Sequence, residues 1–513
     1  MAEPPPPRNR SGPAAPPRAH GAAASGKLTT VDKDLRRIGR LEQATLYLSR
    51  PLVAPGLALV ALLVAALAGA VLFHGSAQGL MLPVALTLGT FLALNIGAND
   101  VANNMGPLVG SRVLPMGAAL LLAAGCEVLG AVLAGGDVAA TVGSGLVRVP
   151  PGAAAEDFIL AMIAALAAAA LWLNIATLLG APVSTTHCVV GAVAGSGALF
   201  AGLGAVNWGA LSMVAAGWLA SPLLSGAVAA GMLLFVNTVI LEREEKIAAA
   251  RLWVPVMTGV TIGCFASYAE VKGIGPVTDS TPLAAGATGL AFGVAGALLT
   301  WPVIARRARG LENRNRDLRH LFALPLVLSA ALLSFAHGAN DVANVVGPLA
   351  AIIGAGGPAG PGAIAGLPGW AMAAGAGGIS LGMLLFGPRL VRLVGHEITR
   401  LNPARSFCVL LASALIVLAA SSVGLPVSST HTAIGALFGV GFSREWSLAR
   451  GRRHSRKPSG KGDAEEPNVE ELSNRRLVRR SHVVTILAAW AVTVPASAIL
   501  SAFIYLFLHT FIR

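Results

Sequence analysis

The residues Gly-Ala-Asn-Asp-Val-Ala-Asn occur at 97–103 and again at 338–344, each time inside apolar sequence. An ionised aspartate at mid-bilayer costs about 2.5–3.5 kcal/mol on insertion scales, so an acid kept there reads as functional. Asp100 and Asp341 are two such acids, and they are the candidate cation ligands together with Asn99 and Asn340. Asn103 and Asn344 add further amide donors and carbonyl acceptors. On a helix, positions 99 and 103 share one face. Gly97 and Gly338 allow close backbone approach or a break, and Gly106–Pro107 and Gly347–Pro348 are expected to interrupt the helix again. A break frees carbonyls, and carbonyls beside a carboxylate suit a small hard cation or a proton.

A second pair of motifs has the opposite polarity. Pro-Val-Ser-Thr-Thr-His at 182–187 and Pro-Val-Ser-Ser-Thr-His at 426–431 each lead into an apolar helical run. Ser184 or Thr185, and Ser428 or Ser429, are the candidate N-caps. A helix starting there aims unpaired N–H groups and a positive dipole end at whatever lies beyond. Two such ends facing each other, with the hydroxyls of Ser184, Thr185, Thr186, Ser428, Ser429 and Thr430 and the amides of Asn103 and Asn344, would bind a tetrahedral oxyanion. Ordinary capping and interhelical bonding is the plainer reading of these hydroxyls, and the two roles can coexist. His187 and His431 follow at once and either tune protonation or support the turn.

The elements that must position these residues are membrane helices. Of the 513 residues 55% are hydrophobic and 12% charged, about half the charge fraction of a soluble protein, and the mean hydropathy is +0.71. Runs such as 55–73 match a bilayer core in length. The net charge of +13 could suggest a nucleic-acid binder, but the basic residues sit in islands between apolar spans, as positive-inside bias requires. No nucleic acid is expected as a partner. Cys126, Cys188, Cys264 and Cys408 lie singly in apolar sequence without metal-ligand spacing; they read as buried structural thiols. The spans contain two further polar residues, Glu127 and Asn174. Glu127, an acid without a repeat partner, reads as an ion ligand, an interhelical contact or a near-surface group, and Asn174 reads as structural.

The motifs recur in the same order at offsets of 241 and 244 residues, and 218–231 faintly echoes 490–503. The chain is therefore internally duplicated. The basic islands at 1–50, 306–320 and 443–482 should all be cytoplasmic. Threading the spans accordingly starts the helix before the first motif outside and the helix before the second inside, which makes the repeats inverted. Such repeats mark secondary transporters with a midplane site. The expected fold is all-α and polytopic, with two inverted-topology repeats, broken helices and re-entrant hairpins at 183–200 and 426–442. Its organisation runs as a disordered basic arm at 1–50, an extra transmembrane helix at 51–73, a first repeat at 80–237, a two-helix linker at 238–319 and a second repeat at 320–508. The second repeat carries the charged insertion near 443–482.

These paired motifs resemble the inorganic phosphate transporter (PiT) family of cation-coupled permeases, and the resemblance covers about 80–508. It implies an inverted-repeat core coupling phosphate uptake to Na+ or H+, commonly as a homodimer. It places Asp100, Asn103, Asp341 and Asn344 at the ion and substrate site, and the Ser and Thr residues on phosphate. Both copies keep the whole GANDVAN form, whereas proton-coupled bacterial members often have a diverged first copy, which favours Na+. The arm at 1–50, the helix at 51–73 and the insertion at 443–482 depart from the family pattern. The expected protein is thus a phosphate symporter of the cell membrane with a cytoplasmic N-terminus, no catalytic residue and no cofactor beyond the coupling ion. A permease for sulfate or another oxyanion, an intramembrane phosphohydrolase and a passive anion channel are the competing readings. The hydrolase would need an asymmetric division between nucleophile and acid or base, which two near-identical motif sets do not offer.

Overall fold

The structure is a computed structural model that describes residues 52–75, 79–178, 183–274, 280–314, 317–356, 369–397, 402–455 and 480–512. The chain divides into two units, Met1–Pro55 and Gly56–Arg513; apart from the first residues of the first helix, everything described below belongs to the second. The arm at 1–50 and most of the 443–482 insertion lie outside the described residues. Among the described residues there is no strand, only an isolated bridge between Val147 and Val206. Eleven helices there are long and apolar enough to cross a membrane.

In chain order the helices are α1 (Leu52–Leu72), α2 (Met81–Gly110), α3 (Met116–Ala134), the short α4 (Gly136–Ala140), α5 (Ala155–Leu178), α6 (Thr185–Ala201), α7 (Trp208–Val236), α8 (Lys246–Ala269) and α9 (Pro282–Arg307). They continue with the short α10 (Leu318–Leu321), α11 (Ala323–Asp341), α12 (Ala343–Ala355), α13 (Gly369–Glu397), α14 (Pro403–Ser422), α15 (Ser429–Ser455) and α16 (Arg480–Ile512). Burial sorts them into a centre and a rim. In α5, in the joined α11–α12 span and in α14, 72% of the central window is buried, against 6% in α1 and 17% in α9. The inner helices are rich in Ala and Gly, which let backbones approach without an apolar solvent force between them. On α1, Leu59, Leu63 and Leu67 point outward, as suits lipid.

The duplication reappears as matched contacts. A Cβ on Gly97 of α2 would overlap the carbonyl oxygen of Ile379 on α13, and one on Gly338 of α11 would overlap that of Glu127 on α3. Gly435 and Gly439 of α15 lie against Pro222 and Gly226 of α7, while Gly191 and Gly195 of α6 lie against Val494 and Ala498 of α16. The echo between 218–231 and 490–503 thus marks helices that play equivalent packing roles. Gly97→Ala or Gly338→Ala should destabilise the protein by about 3 kcal/mol, because a backbone oxygen cannot rotate away from the new methyl group. Thermal unfolding in detergent measures this, and an unchanged midpoint would contradict the packing.

The helix breaks differ from expectation. The first motif lies inside α2, which runs unbroken through Gly97 and on past Pro107, and α12 likewise continues through Gly347 and Pro348, so neither Gly-Pro pair interrupts its helix. Gly97 serves close approach, and one missing N–H bond near a helix end is tolerated in a membrane helix when neighbours resupply it. Pro107 and Pro348 still leave the carbonyls of Asn103 and Asn344 without their intrahelical donors. In the second motif Val342 separates α11 from α12 but keeps helical dihedrals (φ −58°, ψ −31°), and the N–H groups of Val345 and Val346 both point at its carbonyl, so the two run on as one span.

Candidate functional site

Both oxyanion-motif helices begin in the protein interior. Ser184 and Ser428 are the caps, each accepting a 3.2 Å hydrogen bond from the backbone N–H of His187 or His431. This settles the choice against Thr185 and Ser429, which are the first helical residues. The segment entering the second cap is held from three sides. Gly424, at φ 69°, ends α14 in a left-handed turn in which Leu425 N–H reaches back to the Ala420 carbonyl, a conformation that favours glycine. Thr141 Oγ donates to the Gly424 carbonyl at 2.7 Å, and Trp218 Nε1 donates to Pro426 O at 3.1 Å. Asn340 clamps the backbone of Val427, donating to its carbonyl at 2.6 Å and accepting from its N–H at 3.3 Å. The same amide nitrogen reaches Asp341 Oδ1 at 2.5 Å. Asn340 therefore spends its amide on positioning.

The caps of each half meet the acidic motif of the other. Asn103 donates to Thr430 Oγ1 at 2.9 Å, and Thr430 in turn donates to Asp100 Oδ1 at 3.0 Å. Asn344 likewise donates to Thr186 Oγ1 at 3.3 Å, but Thr186 donates to Val427 O at 3.2 Å and not to Asp341. Ser429 donates to Asp341 Oδ2 at 3.0 Å, and Asn99 to Asp100 Oδ1 at 2.9 Å. Thr185 is buried beside its cap and takes no part in these bonds. Behind the caps the imidazoles of His187 and His431 meet edge to face at 4.5 Å between centroids, and His187 also packs on Trp218 at 3.8 Å.

One member of the cluster is a residue that the sequence reading passed over. His337 of α11 is fully buried. Its Nδ1 lies 2.6 Å from Glu127 Oε1, and its Nε2 lies 2.7 Å from Asp341 Oδ2 and 3.6 Å from Asp100 Oδ2. Ligand atoms of Asp100, His337 and Asp341 fall within 4.8 Å of one another. Three carboxyl groups thus share one imidazole, and no Lys or Arg among the described residues is buried beside them. Buried charge without partners is strongly destabilising, so the donor set fits a cation with oxygen ligands.

Residues 96–501 match the pattern of the phosphate transporter family. This chain belongs to that family. It is 38% identical to the "Putative phosphate permease" of Helicobacter pylori strain J99, over 92% of this chain and 98% of that one. It is 34% identical to the chloroplastic "Inorganic phosphate transporter 2-1" of Arabidopsis thaliana, over 83% and 71% respectively. The solved structure of a sodium-dependent phosphate transporter superposes with a TM-score of 0.72 at 30% identity, covering 84% of this chain and 99% of that one. The chain is an integral membrane phosphate transporter, and its relatives are permeases rather than enzymes.

In this phosphate transporter the structure brings Asp100, Asn99, Asn103, Asp341, Asn340, Asn344, Thr186, Ser429 and Thr430 into one network, with Ser184 and Ser428 at its two helix starts. Glu127 is the partner of His337, not a near-surface group. Asn174 bonds Asn95 at 3.0 Å in a helix-to-helix contact, as a structural residue does. The signal for His337 was one letter: the first motif is preceded by Ile96 and the second by His337. Gly97 and Gly338 locate the packing partners, so Ile379 is the counterpart of Glu127. Where the contact between α3 and α11 has an acid and an imidazole, the equivalent contact between α13 and α2 has two buried isoleucines.

Proposed function

We propose that the transporter imports inorganic phosphate by symport with a cation, Na+ in preference to H+, through alternating access at this site. The observation that carries the reading is that Thr430, next to the cap of the second half, donates to Asp100 of the first. Anion-facing helix ends and cation-seeking acids are thereby joined in one buried place. Helix N-termini offer N–H groups and a positive dipole end to phosphate oxygens. The acids would repel phosphate unless a cation arrives with it, which makes the two bindings interdependent. Reciprocal packing of equivalent helices supports two inverted repeats that rock about a common site. The sodium dependence in the name of the superposed structure supports Na+. By the same family reading the protein works as a homodimer in the cell membrane with its N-terminus in the cytoplasm.

The test is uptake of labelled phosphate into proteoliposomes under an imposed Na+ gradient or H+ gradient, with excess sulfate as competitor. Na+-driven uptake that sulfate leaves intact is the expected result. Uptake indifferent to both gradients would mean a channel, and sulfate carried in place of phosphate would overturn the substrate. Ser184→Ala and Ser428→Ala each remove a cap worth about 0.5–2 kcal/mol, which corresponds to a rise of about 2- to 30-fold in phosphate KM. The Na+ dependence should stay near wild type in these variants; the opposite pattern would mean that the two motifs exchange roles.

A further inference from the structure

Asn104 immediately follows the first acidic motif, and its counterpart after the second is Val345. It is fully buried, and neither its amide nitrogen nor its oxygen has a hydrogen-bond partner among the described residues. A buried amide left in that condition opposes folding, so its retention calls for a ligand. Asn104 stands four residues beyond Asp100 on α2, on the same face. Helical side chains lean toward the N-terminus, and residues four apart are neighbours on the helix surface, so a shared cation can join the Asn104 amide to the Asp100 carboxylate.

The two aspartates are not equally placed. Asp100 Oδ1 accepts from Asn99 and Thr430, while its Oδ2 accepts no hydrogen bond and stands 3.6 Å from His337 Nε2. Asp341 has both oxygens engaged. Its Oδ1 accepts from Asn340, and its Oδ2 accepts from Ser429 with His337 Nε2 2.7 Å away. Its neighbour one turn on, Val345, is apolar.

We propose that the coupling cation is held by Asp100 Oδ2 together with the amide oxygen of Asn104, and that His337 takes the corresponding place at Asp341. The two halves thus share a phosphate site but hold unequal cation sites. This rests on the symport reading above and deepens it. A carboxylate and an amide carbonyl are hard oxygen ligands for a metal cation, whereas a proton would need only the carboxylate; the pair therefore selects Na+ over H+.

The test compares wild type with Asn104→Val, which installs the residue of the other half, and with Val345→Ala as the mirror control. Half-saturating Na+ for phosphate uptake should rise about tenfold or more in Asn104→Val, the scale seen when a group supporting a metal is lost. KM for phosphate at saturating Na+ should not move. A readout without phosphate is the thermal stabilisation of purified protein by Na+ alone. Asn104→Val should lose it while its midpoint without Na+ is unchanged or higher, since an unpartnered amide has been removed. Val345→Ala should keep the Na+ response. A wild-type Na+ response in Asn104→Val, or an equal loss in Val345→Ala, overturns the unequal sites alone. A wild type that shows no Na+ response overturns the symport reading and this proposal with it.

Discussion

Phosphate uptake by the Asp100→Asn protein should fall at least about a hundredfold, since breaking a buried charge pair costs about 3–5 kcal/mol. The substitution keeps an acceptor for the hydrogen bonds from Asn99 and Thr430, so α2 and the facing cap keep their geometry. What is lost is the negative charge that holds a cation in surroundings without buried Lys or Arg. Without that cation, phosphate faces Asp341 and Glu127 unshielded. Asp341→Asn should abolish coupled uptake as well, by removing charge beside His337 while leaving the Ser429 contact in place. Uptake in proteoliposomes, alongside thermal unfolding in detergent, separates lost transport from lost folding. Near-normal uptake by both variants would refute the site.

The second large effect concerns Glu127 and His337. Each single change, Glu127→Ile or His337→Ile, strands a partner in the core and should destabilise the protein by about 3–5 kcal/mol. The double variant reproduces the isoleucine pair that the equivalent contact between α2 and α13 already has at 96 and 379. Replacing a buried ion pair by apolar groups of similar volume is often neutral, so the double variant should be more stable than either single one. Asp341 retains its bonds from Ser429 and Asn340 in that background. Transport should nevertheless be absent in all three, because each breaks the link from Glu127 through the His337 imidazole to both aspartates. A four-member thermal-unfolding cycle measures the coupling. Strictly additive losses would mean that the two side chains do not act as a unit.

Much of this protein was legible in its order of residues. Charge fraction and run length dictate membrane helices, because the bilayer core admits few charges and sets the length of each span. Recurrence of two motifs at nearly constant offset marks the duplication, and the cost of an aspartate in lipid singles out Asp100 and Asp341. Proline followed by serine, ahead of an apolar run, announces the two caps. These are all local or periodic properties that a single strand of sequence carries within itself.

Tertiary structure alone decided the rest. Whether Gly-Pro ends a helix depends on what packs beside it, and here α2 passes through Pro107 and α12 through Pro348. Cross-half bonds such as Thr430 to Asp100 join residues 330 positions apart, a separation at which no periodicity survives. His337 and Glu127 showed only as mismatches between repeats, since the meaning of a polar residue in an apolar span lies in its partner, 210 residues distant. Asn104 gained significance only when its surroundings proved to offer it nothing. Residue type sets which interactions a position can make, but folding in a medium without water determines which of them are satisfied and which wait for an ion.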